Sequence, residues 1–438
     1  MALSRHWVRW SWLPALLAVA AVLVWAATRS EPPDHAAATA PAPAHAAPAP
    51  VGPGAQEALE AAIAAGDWLV RTQRDDGEFA YTYDPIENEF SQKGYSYVRH
   101  AGVVWSLIVL HRRTGDEAYL RCAERGLRRM EQVTQWEGPV AYVVSRNSAP
   151  LGGAALAAVA YLALEKPTHL QRRTAAGLGE MILRLLGDDG RFRSHYPVKP
   201  PLETKEIRSV YYPGEALLAL TRLYAQTRDP KWLQAARKAG RYLATRRDRD
   251  FGYTEPPPDH WYVIAVAELA PLLRERAAAA DADERDALSA DAIVLTDYAF
   301  KVSDVLVAGQ ITAARARYPE YEGGGDNYDP PRSAPAATRG EALTAVCRLA
   351  DGLGQPRERY LGVLRGYARF VLRLQHGPGA SSVFPEPENA IGCFAASPAD
   401  PRTRMDYQQH AISCLLGLES LTRPQPTSDQ PTSSAAPL

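Results

Sequence analysis

The chain has 438 residues, 46% hydrophobic and 23% charged, with 49 Lys and Arg against 50 Asp and Glu. Apolar content of that order supports a sizeable core, and the length fits two or three average domains or one large repeat-built one. A formal net charge of −1 argues against a nucleic-acid partner, because neutralising phosphates calls for a basic surplus. Cys122, Cys347, Cys393 and Cys414 are too few and scattered for a disulfide framework, and no CxxC metal spacing occurs.

At the N-terminus, Arg5 and Arg9 precede an apolar run from Trp12 to Ala27. The run is slightly long for a signal-peptide core and slightly short for a membrane span. Trp25 and Arg29 make a poor cleavage site, so residues 1–30 read as a signal anchor, with a cleaved signal peptide as the alternative. Either reading exports the rest, to the periplasmic face of the inner membrane or beyond. Residues 31–56 hold seven Pro and ten Ala, a linker composition that cannot bury enough surface to order itself. Residues 423–438, rich in Pro, Ser and Thr, read as a disordered tail. The folded unit is expected over 57–422.

Inside that unit helical patterns dominate. Gly66-Asp67-Trp68-Leu69-Val70-Arg71-Thr72-Gln73, followed by a turn with Gly77 and Phe79, reads as a helix and its exit. Met181–Leu186 with Gly190 and Phe192 repeats the spacing, as do Gly240–Arg247 and Arg369–Gln375 with Gly379; a weaker copy ends near Met130. Aligning Gln73, Gln132, Leu186, Arg247 and Gln375 gives intervals of 59, 54, 61 and 128, the last being two units with a degenerate copy around Tyr298–Leu306. Six units of about 60 residues follow, each a helical hairpin.

The second helix of each unit is rich in Ala and Leu on most sides, as in Ala154–Leu164, which marks it as buried. These helices begin near Tyr97, Pro150, Tyr211, Asp259, Ala337 and Asp406. The connectors leaving them are short, and the ones entering them are long: about 75–96, 133–149, 187–209, 248–258, 307–336 and 376–405. Six hairpins can close into a ring with the second helices inside; an open solenoid is the alternative architecture.

The Gly66/Trp68/Gln73/Gly77/Phe79 segment resembles the QW-type repeat of terpenoid-cyclase-like α/α toroids. The six-unit count resembles the (α/α)6 barrels of six-hairpin glycosidases, sugar 2-epimerases and uronyl C5-epimerases. That resemblance implies an all-α (α/α)6 toroid and an activity on carbohydrate. The chain departs from the terpenoid cyclases in lacking a DxDD-like or DDxxD-like run; Asp75-Asp76 and Asp188-Asp189 are explained as turn residues.

In such a ring all inner-helix N-termini open on one face beside the long loops, and their free N–H groups favour anionic groups there. The floor of that bowl would carry Arg99, His100, Tyr212, Glu215, Asp259, His260, Trp261, Arg339, Glu341, Asp406, Tyr407, Gln409 and His410. Buried charge must be paired or functional. Two chemistries follow, hydrolysis by a carboxylate pair as the leading reading and epimerisation by histidine or tyrosine as the alternative. In the hydrolase, Glu341 is the acid and Glu215 or Asp259 the base; in the epimerase, His260 and His410 exchange a proton across one sugar carbon. Arg99, His100, Tyr212, Trp261, Arg339, Asp406, Tyr407 and Gln409 would bind substrate, the arginines by clamping a carboxylate. The other readings are a tethered glycan-binding or assembly module, and a toroid for a lipid substrate with an apolar bowl. No cofactor or metal is expected, since phosphate loops, GxSxG elbows and dinucleotide fingerprints are missing. The partners expected are an envelope glycan, of acidic character, and the inner membrane through the N-terminal segment.

Overall fold

The computed structural model describes residues 53–145, 148–197 and 208–424. The anchor expected over 1–30, nearly all of the linker and nearly all of the tail lie outside these residues. Among the described residues no helix is long and apolar enough to cross a membrane.

Six outer helices are amphipathic: α1 (Ala55–Thr72), α3 (Glu117–Val133), α5 (His169–Leu185), α7 (Pro230–Thr245), α10 (Ala282–Ala308) and α12 (Glu358–Arg373). In α1 the buried side is Ala58, Ala61, Ala62, Ala65, Trp68 and Leu69, one face at helical spacing. Six inner helices alternate with them: α2 (Tyr97–Thr114), α4 (Leu151–Leu162), α6 (Tyr212–Thr227), α9 (His260–Ala278), α11 (Ser333–Asp351) and α15 (Met405–Thr422). In α4 every residue from Leu151 to Tyr161 is buried, as the Ala/Leu-rich sequence predicts.

Each inner helix packs on the next in the order α2, α4, α6, α9, α11, α15, and α15 returns to α2, so the ring closes and the solenoid alternative falls. Short turns reverse the chain from inner to outer helix, and local chemistry explains them. Gly115, at φ 74°, ends α2, and Asp116 caps α3 through the Ala118 N–H. A capping box of Thr168 and Gln171 starts α5, and Asp229 with Pro230 starts α7. The long connectors run the other way. They carry the short strands β1 (Thr82–Asp84), β2 (Glu89–Ser91), β3 (Thr134–Glu137), β4 (Val140–Val143), β5 (Ala149–Pro150), β6 (His195–Tyr196) and β7 (Thr403–Arg404) and the short helices α8 (Arg247–Phe251), α13 (Pro378–Ser381) and α14 (Pro387–Ala390). β7 pairs with β1, so the last connector is tied to the first.

The repeated glutamine joins neighbouring units, and a close-packed glycine follows it: Gly77 as the repeat predicts, but in the last unit Gly392 in place of the expected Gly379, which has open space around it. Gln73 donates to the Gly77 and Cys122 carbonyls, the latter on α3. Gln375 donates to the Ala61 and Gly392 carbonyls, joining the last unit to α1. Gly77 (φ 84°) and Gly392 (φ 93°) sit so close to the neighbouring helix that a Cβ would lie 2.4 Å from the Arg125 carbonyl oxygen and 2.3 Å from that of Ala64. Gly392→Ala therefore strains both the backbone and the ring closure, and should lower the melting temperature by several degrees. Gly362→Ala, exposed on α12 with open space around it, should leave it unchanged or raise it slightly. Thermal unfolding of the two variants checks this.

Candidate active site

The six inner helices all start at one mouth, a bowl of about 390 Å³. Val98 and Arg99 come from α2, Leu156 from α4, Tyr212 and Glu215 from α6, and His260 and Trp261 from α9. Thr338 and Arg339 come from α11, and Asp406, Tyr407, Gln409 and His410 from α15. Under the floor Trp261 packs against Trp105, with ring centroids 5.8 Å apart, which closes the ring interior.

At the centre stand two imidazoles, His260 and His410, with centroids 5.6 Å apart. Glu341 lies beneath them, 5% exposed and outside the bowl lining. Its Oε2 accepts from His410 Nδ1 at 3.0 Å and lies 3.7 Å from His260 Nε2. A carboxylate only accepts, so this contact puts the proton on His410 Nδ1 and leaves its Nε2 as the other functional nitrogen. The Gln409 amide lies 3.1 Å from the same Nδ1. His260 is 3% exposed, and neither ring nitrogen has a hydrogen-bond partner. Burial holds its imidazole well below the ordinary range, and the positive charges of His410 and Arg339 add to the effect. His260 is thus a neutral imidazole.

Two carboxyls face the bowl in opposite states. Burial pushes Glu215 up to about 8, and Asp259 adds to the rise against a partial offset from Arg99. Its Oε2 has no partner. Gly152 on α4 packs so close that a Cβ there would lie 2.2 Å from that oxygen. Burial also pushes Asp406 up, but hydrogen bonds and charge from Arg404, with Arg99 and His410, outweigh it and hold the carboxyl below its usual range. Arg404 donates to both Asp406 oxygens at 2.5 and 2.9 Å, and Arg99 Nε to one of them at 3.1 Å.

Two of the expected site residues are elsewhere. His100 is fully buried between the Tyr95 hydroxyl (2.6 Å) and the Gly126 carbonyl (2.9 Å); one residue along α2 from Arg99, it is turned about 100° away from the bowl. Asp259 is fully buried outside the lining, accepts from the Tyr262 N–H as the cap of α9, and pairs with Arg247 Nη1 at 2.6 Å. It sets the direction of the helix that begins with His260, and it stands outside the bowl in which the sequence reading put it as a hydrolytic base. Glu341 also leaves the role of acid facing substrate, since both imidazoles stand above it. Conversely, Asn327, Tyr328 and Arg332 of the connector 309–332, and Arg404 just before α15, line the bowl without having been expected from the sequence. The length of that connector was their only signal.

His260, Glu341 and His410 offer three ligand atoms within 4.8 Å of one another, the group among the described residues most suited to a metal ion at this site. The lining's four arginines make it a poor seat for an isoprenoid chain, which the lipid reading requires.

Comparison with sequence-family profiles and with curated proteins finds no match. Solved structures do match. The α-1,6-mannanase of Salegentibacter sp. aligns over 84% of this chain and 100% of its own at 17% identity, with a TM-score of 0.56. Cellobiose 2-epimerase of Bacillus thermoamylovorans aligns over 84% and 98% at 12% identity, TM-score 0.58. An unsaturated glucuronyl hydrolase specific for heparin aligns over 84% and 98% at 10% identity, TM-score 0.58. The chain has their (α/α)6 toroid fold. At these identities the likeness is one of fold, and the chemistry has to be read from the bowl.

The charge states give a stability prediction. Glu215 binds its proton more tightly folded than unfolded, so between about pH 5 and 8 stability falls as pH rises, and the loss is complete above the folded value. Glu215→Gln, which mimics the protonated form, should flatten this segment of the melting temperature against pH. Asp259→Ala should be far more damaging, by about 3–5 kcal/mol, because it strands a buried Arg247; thermal and denaturant unfolding read both.

Proposed function

We propose that this chain is an enzyme acting on carbohydrate, and that its chemistry is proton transfer at a sugar carbon by His260 and His410. The single observation that carries this is the pair of imidazoles over one buried carboxylate. Neutral His260 removes a proton from one face of the carbon. His410, its Nδ1 held by Glu341, returns one to the other face through Nε2, so the configuration inverts. Glu215, neutral at pH 7, supplies a hydrogen-bond donor to a sugar oxygen. Tyr211, Tyr212, Tyr328 and Tyr407 give the bowl aromatic faces on which sugar rings stack. Fold neighbours include sugar epimerases and glycoside hydrolases, and the mannanase has been seen with α-1,6-mannotetrose.

Hydrolysis is the second reading, favoured by the protonated Glu215 carboxyl. It needs a second free carboxylate, and Asp406 is tied by two arginines while Glu341 lies beneath the histidines. The mannanase is inactive when two consecutive aspartates are replaced; the lining here has no consecutive acidic pair. As substrate we propose a glycan of the cell envelope, reached by export through the N-terminal segment, with residues 1–30 as the anchor.

The test is an NMR time course of the full chain in D2O with purified envelope polysaccharides. Deuterium should enter one ring carbon without new reducing ends, and His260→Asn and His410→Gln should each slow this at least 100-fold. New reducing ends without deuterium, lost in Glu215→Gln, would make this a hydrolase. Neither signal, with binding retained, would make it a glycan-binding module.

A further inference from the structure

We propose that His260, Glu341 and His410 are also a seat for one divalent transition-metal ion, zinc fitting best, and that the ion and the sugar compete for the same two imidazoles, so that binding the metal switches the proton transfer off. The metal site stands on geometry alone; the switch rests on the reading of His260 and His410 as the proton carriers.

The three side chains come from α9, α11 and α15, consecutive inner helices of the closed ring. They are far apart in the chain, so no local spacing announces them. One ligand atom from each lies within 4.8 Å of the others. Tetrahedral zinc, with bonds of about 2.0–2.1 Å to nitrogen and oxygen, sets its donors about 3.4 Å from one another. Glu341 Oε2 lies 3.0 Å from His410 Nδ1 and 3.7 Å from His260 Nε2, on either side of that value. A second observation points the same way. Both ring nitrogens of His260 and Oε1 of Glu341 are buried with no hydrogen-bond partner. The two residues are 3% and 5% exposed, and buried polar atoms are costly unless something binds them. His100 shows the contrast: equally buried, it is held at both nitrogens, by the Tyr95 hydroxyl and the Gly126 carbonyl.

Two imidazoles and one carboxylate select zinc, cobalt or nickel, whereas magnesium and calcium want a shell of oxygens. Three protein ligands leave a fourth position open. Here it faces the bowl, because His260 and His410 line the bowl and Glu341 lies beneath them. Coordination through His410 Nδ1 replaces that nitrogen's hydrogen bond to Glu341 and moves the ring's proton to Nε2. No proton is lost, and zinc is neither oxidised nor reduced. The lone pair of His260 enters the metal bond, so the imidazole no longer takes a proton from a sugar. Affinity should be moderate, as suits an exchangeable ion. A metal-binding imidazole is normally oriented by an acceptor on its other nitrogen, and His260 Nδ1 has none. Arg332 and Arg339 also line the bowl, neither paired with a carboxylate among the described residues, and both weaken a cation there.

The probe is the metal itself. The full chain is stripped with EDTA, dialysed, and titrated by calorimetry with zinc, cobalt, magnesium and calcium chlorides in turn. One zinc per chain should bind with a dissociation constant of about 1 μM, and magnesium and calcium should not bind. Cobalt should give the strong visible absorption of a four-coordinate ion. Glu341→Gln, His260→Asn and His410→Gln should each weaken zinc binding by about 100-fold. Circular dichroism identifies any variant that has lost its fold; zinc-edge anomalous diffraction from the parent then decides, by whether the ion sits on these three side chains. Saturating zinc should stop deuterium uptake into the envelope glycan, and EDTA should restore it. No binding at millimolar zinc, or zinc binding unchanged in the three variants, overturns the site. Uptake that proceeds unchanged with the site filled overturns the switch. Uptake that needs the metal and stops in EDTA supports the site, and overturns both the switch and the reading of the histidines as proton carriers. Binding on the three residues with no uptake in either state supports the site and overturns the proton-transfer reading, with the switch built on it.

Discussion

Closing six hairpins into a ring is the constraint from which the site follows. Once α15 packs back on α2, the inner helices have one shared direction and their N-terminal turns crowd around a single mouth. That crowding takes polar side chains out of water at the end of the ring where helix dipoles are positive. The polar groups there cannot be relaxed one at a time. Some are satisfied by neighbours, as in the tight Arg404–Asp406–Arg99 cluster, while Arg339 keeps an Nε without a partner in the same bowl.

The ring also explains why three carboxyls of similar burial differ in chemistry. Glu215 has an apolar setting, a close glycine and no adjacent hydrogen-bond donor, and it keeps its proton. Asp406, between two arginines, stays ionised. Glu341 has two imidazoles over it and accepts from one of them. Residue type alone would not separate these; the separation comes from which helix each one faces.

Much of the fold was legible because repeat grammar has a physical origin. Gln73 and Gln375 recur since each bonds across to the next outer helix, and the Ala/Leu bodies of α4 and α6 recur since those helices have no solvent side. Long connectors marked the mouth of the bowl, and the polar helix starts marked its floor. What the sequence hid depends on direction and distance. His100 and Arg99 are adjacent, yet 100° of helix rotation sends them to different environments. Asp259 reads equally as cap or catalyst until Arg247, twelve residues earlier on α8, is seen against it. Arg332, Asn327 and Tyr328 come from a loop whose path no periodicity describes.

If chemistry happens where His260 and His410 face one another over Glu341, a crystal structure of the His410→Gln variant with a bound oligosaccharide should show a sugar ring seated in the bowl on the aromatic faces, with a ring carbon within about 3.5 Å of His260. A sugar bound on the opposite face of the ring, or in the bowl with no carbon near His260, would contradict it.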